Sequence, residues 1–157
     1  MMTRLTSRVL RRQRGGVAVE MAVLLPILVM LLAFPLLLGR IFWHYSVAQK
    51  AAHDAARYLS SVPYAEMNNP SRSQSAASLA RDIVLAETAE LTPGGAFPVS
   101  IGITCDDGPC DYGVPTTVTV LVRVRMFDPF FGNFTWALVG DDGLSLRAKV
   151  VMRYVGK

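Results

Sequence analysis

The chain has 157 residues, 52% of them hydrophobic, with a mean hydropathy of +0.34 and a formal net charge of +4. That length holds one modest core, and the hydropathy points to a membrane segment rather than to a wholly soluble protein. The charge excludes a nucleic-acid reading because of where it sits. Five arginines (Arg4, Arg8, Arg11, Arg12, Arg14) precede the long apolar run, and from Arg40 on eleven basic residues are matched by eleven acids, all but Glu20 of the twelve. The part beyond the run is expected to be neutral, with no basic face of the kind that grips phosphate backbones.

Met21 to Gly39 is free of charge, and as a helix it spans roughly 28 Å, the thickness of a bilayer's hydrocarbon core. Pro26 and Pro35 predict a bend or two within it. Near the ends of the run, basic residues number five before it and three after it (Arg40, Lys50, Arg57). The positive-inside rule therefore leaves the N-terminus in the cytoplasm and exports the rest. A cleavable signal ending at Ser46-Val47-Ala48 is the competing reading; the run is too long for it, and Arg40, Phe42, Trp43 and Tyr45 intervene.

Glu20 opens the apolar run, and an unpaired carboxylate in lipid costs several kcal/mol. Two readings meet that cost: Glu20 stays outside the hydrocarbon beside an arginine, or a cut after Gly15 supplies the free amine of a neighbouring subunit. The stretch Arg11-Arg12-Gln13-Arg14-Gly15-Gly16-Val17-Ala18-Val19-Glu20-Met21-Ala22, followed by Leu24-Leu25-Pro26, resembles the opening of TadE-like proteins of the tight-adherence (Flp) pilus system. Gly39-Arg40, the alanine-rich Gln49 to Arg57, and Leu146 to Tyr154 are also similar to that family. The resemblance implies a minor pilin or pseudopilin without enzymatic activity or cofactor. Its partners would be other pilins or pseudopilins, pilus assembly and secretion components, and a prepilin peptidase. Carried over, Gly15 precedes the scissile bond, Gly16 is the new N-terminus and Glu20 is the assembly carboxylate. Met21 stands where the major pilins place an aromatic residue, and the second glycine leaves the cut ambiguous by one. A reading from another class is a membrane-tethered periplasmic binding or sensing module unrelated to pili.

Beyond the bilayer, Ile41, Tyr45, Ala48, Ala52, Ala55 and Leu59 recur at helical spacing, so the membrane helix is expected to continue to Ser60. Ala48, Ala52 and Ala56 form a small-residue row on which either another helix or the protein's own domain could pack. Val62-Pro63-Tyr64 ends this helix. Asn68-Asn69-Pro70-Ser71 turns into a second one, about 71–91, with Ala76, Leu79, Ile83 and Ala86 as its apolar stripe. Alternation then predicts strands over 97–104, 116–127 and 144–155, with Val118, Val120, Val122, Val124 and Met126 on one face of the second. The fold class is α+β: a long N-terminal transmembrane helix continuing outside the membrane, then one or two helices on one face of a three-stranded antiparallel sheet. The expected divisions are a basic tail or leader (1–15), the helix (16–60) and an exported domain (61–157).

Cys105 and Cys110 flank Gly108-Pro109, which supplies a turn; if paired, their small loop is worth about 2 kcal/mol. Two cysteines are too few for a zinc site. His44 and His53 lie on opposite sides of one helix, so they cannot share a metal and are expected at a surface or interface. Asp106, Asp107, Asp111, Asp141 and Asp142 read as turn acids, without the spacing of a calcium loop. Phe127, Phe130, Phe131, Phe134 and Trp136 read as a satellite core beneath their loop, the alternatives being a partner surface or a place against the lipid. No nucleophile elbow or metalloprotease pair is present in the sequence.

Overall fold

The computed structural model describes residues 13–91, 98–111, 113–126 and 143–157. The aromatic group from Phe127 to Trp136, with Asp141 and Asp142, lies outside the described residues. Two compact units divide the chain, one through Arg40 and one from Ile41 onward.

The first helix, α1 (Gln13–Ser61), passes through Pro26 and Pro35 without interruption. In the first unit its apolar side chains cover the whole circumference: Val17, Leu24, Leu28, Met30, Leu31 and Leu36 are each more than half exposed. Such a helix is stable only in lipid or against other protein. Among the described residues it is the one helix long and apolar enough to cross a membrane.

In the second unit, α1 turns a narrow stripe inward. His44, Ala48, Ala51, Ala52, Ala55, Ala56 and Leu59 are all buried, as is Val62 just past the helix end. The expected stripe is right from Ala48 on, but at its start the interior position is His44, 1% exposed, while Tyr45 is 43% exposed. The surface or interfacial place expected for His44 is thereby corrected: four residues before Ala48, it stands on the same helical face. His53 is exposed, as expected, with Nδ1 3.8 Å from Asp54 Oδ1.

Pro63 stops α1, and a single turn, α2 (Tyr64–Met67), buries Met67. The next helix, α3 (Pro70–Thr88), starts as its sequence dictates: Asn69 is the N-cap, its Oδ1 accepting from Ser71 N at 3.1 Å, and Pro70 opens the first turn. Its buried residues are Ser73, Ala76, Ala80, Val84 and Thr88. Leu79 is 48% exposed and Ala86 lies outside, so the expected stripe is rotated by about one position. The two buried hydroxyls bond within their own helix, Ser73 Oγ to Pro70 O at 3.0 Å and Thr88 Oγ1 to Val84 O at 2.7 Å. They enter the core at little cost in unmade hydrogen bonds, and with Ala76 and Ala80 they keep this face slim.

Three strands follow: β1 (Ser100–Cys105), β2 (Thr117–Met126) and β3 (Leu144–Arg153), antiparallel in the order β1-β2-β3. Val118, Val120, Val122 and Val124 are fully buried and Met126 nearly so, as their alternation predicts. Each buried valine contributes roughly 1.5–3 kcal/mol. They share one core with the alanines of α1 and with Ala76, Ala80 and Val84 of α3. The α+β architecture is the one expected.

The C-terminal tail closes the far end of α1. Val155 N donates to Ser60 O at 2.9 Å, the Tyr154 hydroxyl donates to Val62 O at 2.7 Å, and Tyr64 N donates to Lys157 O at 3.4 Å. The last carbonyls of a helix have no partners within it, and here the tail supplies them.

Candidate functional site

Gly15 and Gly16 lie inside α1 rather than before it. Two consecutive glycines cost a helix about 1 kcal/mol each relative to alanine, so this first turn opens easily. Glu20 follows Gly16 by four residues, on the same side one turn along, and is exposed between Val19 and Met21. Ala48, Ala52 and Ala56 are 0% exposed and belong to the domain's own core. Of the two partners the sequence allowed for this row, the structure supplies the domain itself.

Cys105 and Cys110 stand at disulfide distance, with Cα atoms 4.9 Å apart. The turn beside them is not made by Gly108-Pro109 as expected. Cys105 and Gly108 exchange both backbone hydrogen bonds, at 2.8 and 3.0 Å, around Asp106 (φ 48°) and Asp107 (φ 65°). Positive φ at both central residues defines the tight hairpin turn whose twist suits antiparallel strands, and aspartate tolerates it better than most side chains. Asp106 also braces the strand return. Its carboxylate accepts from Thr116 N and Thr117 N, each at 2.7 Å, and from Thr117 Oγ1 at 2.9 Å. These bonds hold its pKa below the usual carboxylate value, those from Thr116 and Thr117 backbone first. Asp107 makes no such bond, so Asp107→Gly is expected to relieve backbone strain and raise stability by up to about 1 kcal/mol. Thermal melting of the full chain in detergent, with Asp106→Gly melting lower than the parent, checks both halves of this account.

Between α1 and α3, Val47, Lys50, Ala86, Glu87 and Glu90 line a shallow groove of about 260 Å³. Glu87 Oε2 is buried and takes no hydrogen bond, with Lys50 Nζ 4.0 Å away. Burial, then the Asp54 carboxylate, push the Glu87 pKa up against the pull of Lys50. The folded chain thus holds this proton more tightly than the unfolded chain, and ionised Glu87 works against folding above its raised pKa. Glu87→Gln is expected to raise the melting temperature near neutral pH, with the gain vanishing as pH falls to about 4.5, the ordinary value. A constant difference across that range would refute the assignment.

The outer face of the sheet corrects the expectation of no basic face. On β2 the outward positions include Leu121, Arg123 and Arg125, and on β3 Arg147, Lys149, Val151 and Arg153. The register sets Arg123 directly opposite Arg147, Leu121 opposite Lys149 and Thr117 opposite Arg153. Among the described residues no acid stands on this face, and Arg123, Arg147, Lys149 and Arg153 make no ion pair. A neutral total conceals this because none of the acids among the described residues lies on a strand. The signal was present in the strands, where the polar positions of the alternation are mostly arginine and lysine, but only the register gathers them into one patch.

Among the described residues no group of three or more histidine, cysteine or acidic side chains could hold a metal ion. These observations define the class: a chain with one N-terminal helix long and apolar enough to cross a membrane, leading into an α+β domain with a disulfide-distance cysteine pair. Residues 15–57 match the family described as TadE-like protein, the family its N-terminal residues resemble. The matched stretch takes in Gly15, Gly16, Glu20, the apolar run and the alanine stripe. No curated protein and no solved structure matches the chain.

Proposed function

We propose that this chain is a minor pilin or pseudopilin of a tight-adherence pilus system, anchored in the inner membrane and acting by protein contacts rather than by turnover. The observation that carries the reading is the family match over residues 15–57, which begins at Gly15 and covers the whole charge-free run. In this reading the arginine tail stays in the cytoplasm, the helix holds the subunit in the bilayer, and the domain from about residue 61 meets other pilus or secretion components on the exported side. A prepilin peptidase cuts after Gly15, for which the paired glycines offer an easily opened first turn. The new amine at Gly16 of one subunit then pairs with Glu20 of its neighbour, which removes the cost of a lone carboxylate at the membrane edge.

The mature N-terminus tests this, read by intact mass and peptide mapping of protein from native membranes with and without the peptidase. A start at Gly16 that requires the peptidase is the expected result. Glu20→Gln should then leave cleavage intact and reduce incorporation into assembled pili. An intact arginine tail in both strains would remove the processing step and leave a bitopic scaffold. A start at Gln49 would mean a secreted protein and overturn the anchoring.

A further inference from the structure

We propose that the outer face of the three-stranded sheet is a docking surface for an acidic protein partner, gripped by Arg123, Arg147, Lys149 and Arg153. The charge is one-sided: these four exposed cations stand on one face, with no acid beside them among the described residues. The arrangement also carries a cost. Arg123 and Arg147 are directly opposed on neighbouring strands, where like charges destabilise a sheet. A local rule broken without local compensation is expected where a surface serves a ligand.

The character of the face selects the partner. Its β1 side carries only small residues, with Ser100, Gly102, Thr104 and Thr119 at the outward positions of β1 and the facing part of β2. Leu121 and the 54% exposed Val151 are its apolar elements. Among the described residues no aromatic side chain stands on this face for a base to stack on, which disfavours single-stranded nucleic acid. Nor do the described residues of this face include a bulky apolar set to insert among lipid chains, as a membrane-surface element requires. Arginine with a small apolar patch is the composition of a protein interface, and its planar guanidinium matches a carboxylate bidentately. Strands of six, ten and ten residues, at about 4.8 Å spacing and about 3.3 Å per residue, present roughly 410 Å². That is well below the ~800 Å² per partner of a standard stable interface, so charge attraction must carry much of the recognition and binding should be sensitive to salt.

The test uses the full chain in neutral detergent micelles, with Arg4, Arg8, Arg11, Arg12 and Arg14 replaced by glutamine so that the tail cannot bind the probe. Poly-L-glutamate labelled with a fluorophore is titrated at low and high salt. Binding that weakens with salt is expected, falling roughly tenfold in Arg123→Glu and in Arg147→Glu. Arg72→Glu, on α3, should bind as the parent does. Each sheet reversal turns the opposed pair into an attractive one, so its melting temperature should equal or exceed the parent's, which separates lost binding from lost folding. Poly-L-glutamate binding unchanged by both reversals would overturn the proposal. So would failure of the parent to bind it while phosphatidylglycerol vesicles or a single-stranded oligonucleotide are captured through these arginines.

Discussion

Ala52→Leu is expected to lower the melting temperature of the domain by several degrees or to prevent its folding. Ala52 is fully buried, as are Ala48, Ala51, Ala55 and Ala56 around it. Leucine forms helix nearly as well as alanine, so α1 itself is not weakened. The added carbons instead enter a core already filled by the β2 valines and by Ala76, Ala80 and Val84 of α3. Overpacking of this kind costs about 1–3 kcal/mol, occasionally more, from a total of about 5–15 kcal/mol. For a small domain each kcal/mol moves the midpoint by roughly 4–8 °C. The control is Ala86→Leu, the same change at an exposed position of α3, where a shift within about 0.5 kcal/mol is expected. Equal shifts in the two variants, by circular dichroism of the full chain in detergent, would mean that the alanine face does not set the packing distance.

The second large effect is at Gly156. A Cβ there would collide with the carbonyl oxygen of Val62 and with the phenol of Tyr154. One obstacle is backbone, so the clash cannot be relieved by turning a side chain. Gly156→Ala is therefore expected to push the tail off the end of α1, breaking the bonds to Ser60 O and Val62 O, at about 1–3 kcal/mol. Tyr154→Phe removes only the hydroxyl and should cost about 1 kcal/mol. Because both changes act on one latch, the double variant should lose less than the sum of the two, and additivity would sink the account. Burial first, and then Tyr64, raise the Tyr154 pKa above its ordinary 10.0. The folded chain thus holds the phenol proton more tightly. The latch is fully present below pH 10 and is lost as pH rises through the folded value, and Tyr154→Phe should abolish that alkaline dependence.

How much of this was legible in the sequence depended on whether the signal was local. The span from Met21 to Gly39 was legible, because crossing a bilayer requires only length and the absence of charge. The Asn69-Pro70 helix start and the β2 alternation were legible for the same reason: a cap and a two-residue period are written within a few neighbouring positions. The tight turn is not legible because Gly108-Pro109 is the stronger local turn signal, whereas the bridge between Cys105 and Gly108 places Asp106 and Asp107 at the bend. The α3 stripe was misassigned because its apolar contrast is weak. Slim residues, with hydroxyls bonded to their own helix, can lie inside where leucine was expected.

By itself, then, the sequence determined the apolar span, the α+β class and the resemblance at Gly15 to Met21, since each is a property of contiguous residues. Only the tertiary structure decided that His44 is interior, that the alanine row faces its own domain and that the tail latches α1. It alone gathered Arg123, Arg147, Lys149 and Arg153 into one patch. Periodicity shows that an element has an inner face, but which residues meet there depends on strand register and helix rotation, and these are set by chain segments far apart in the sequence.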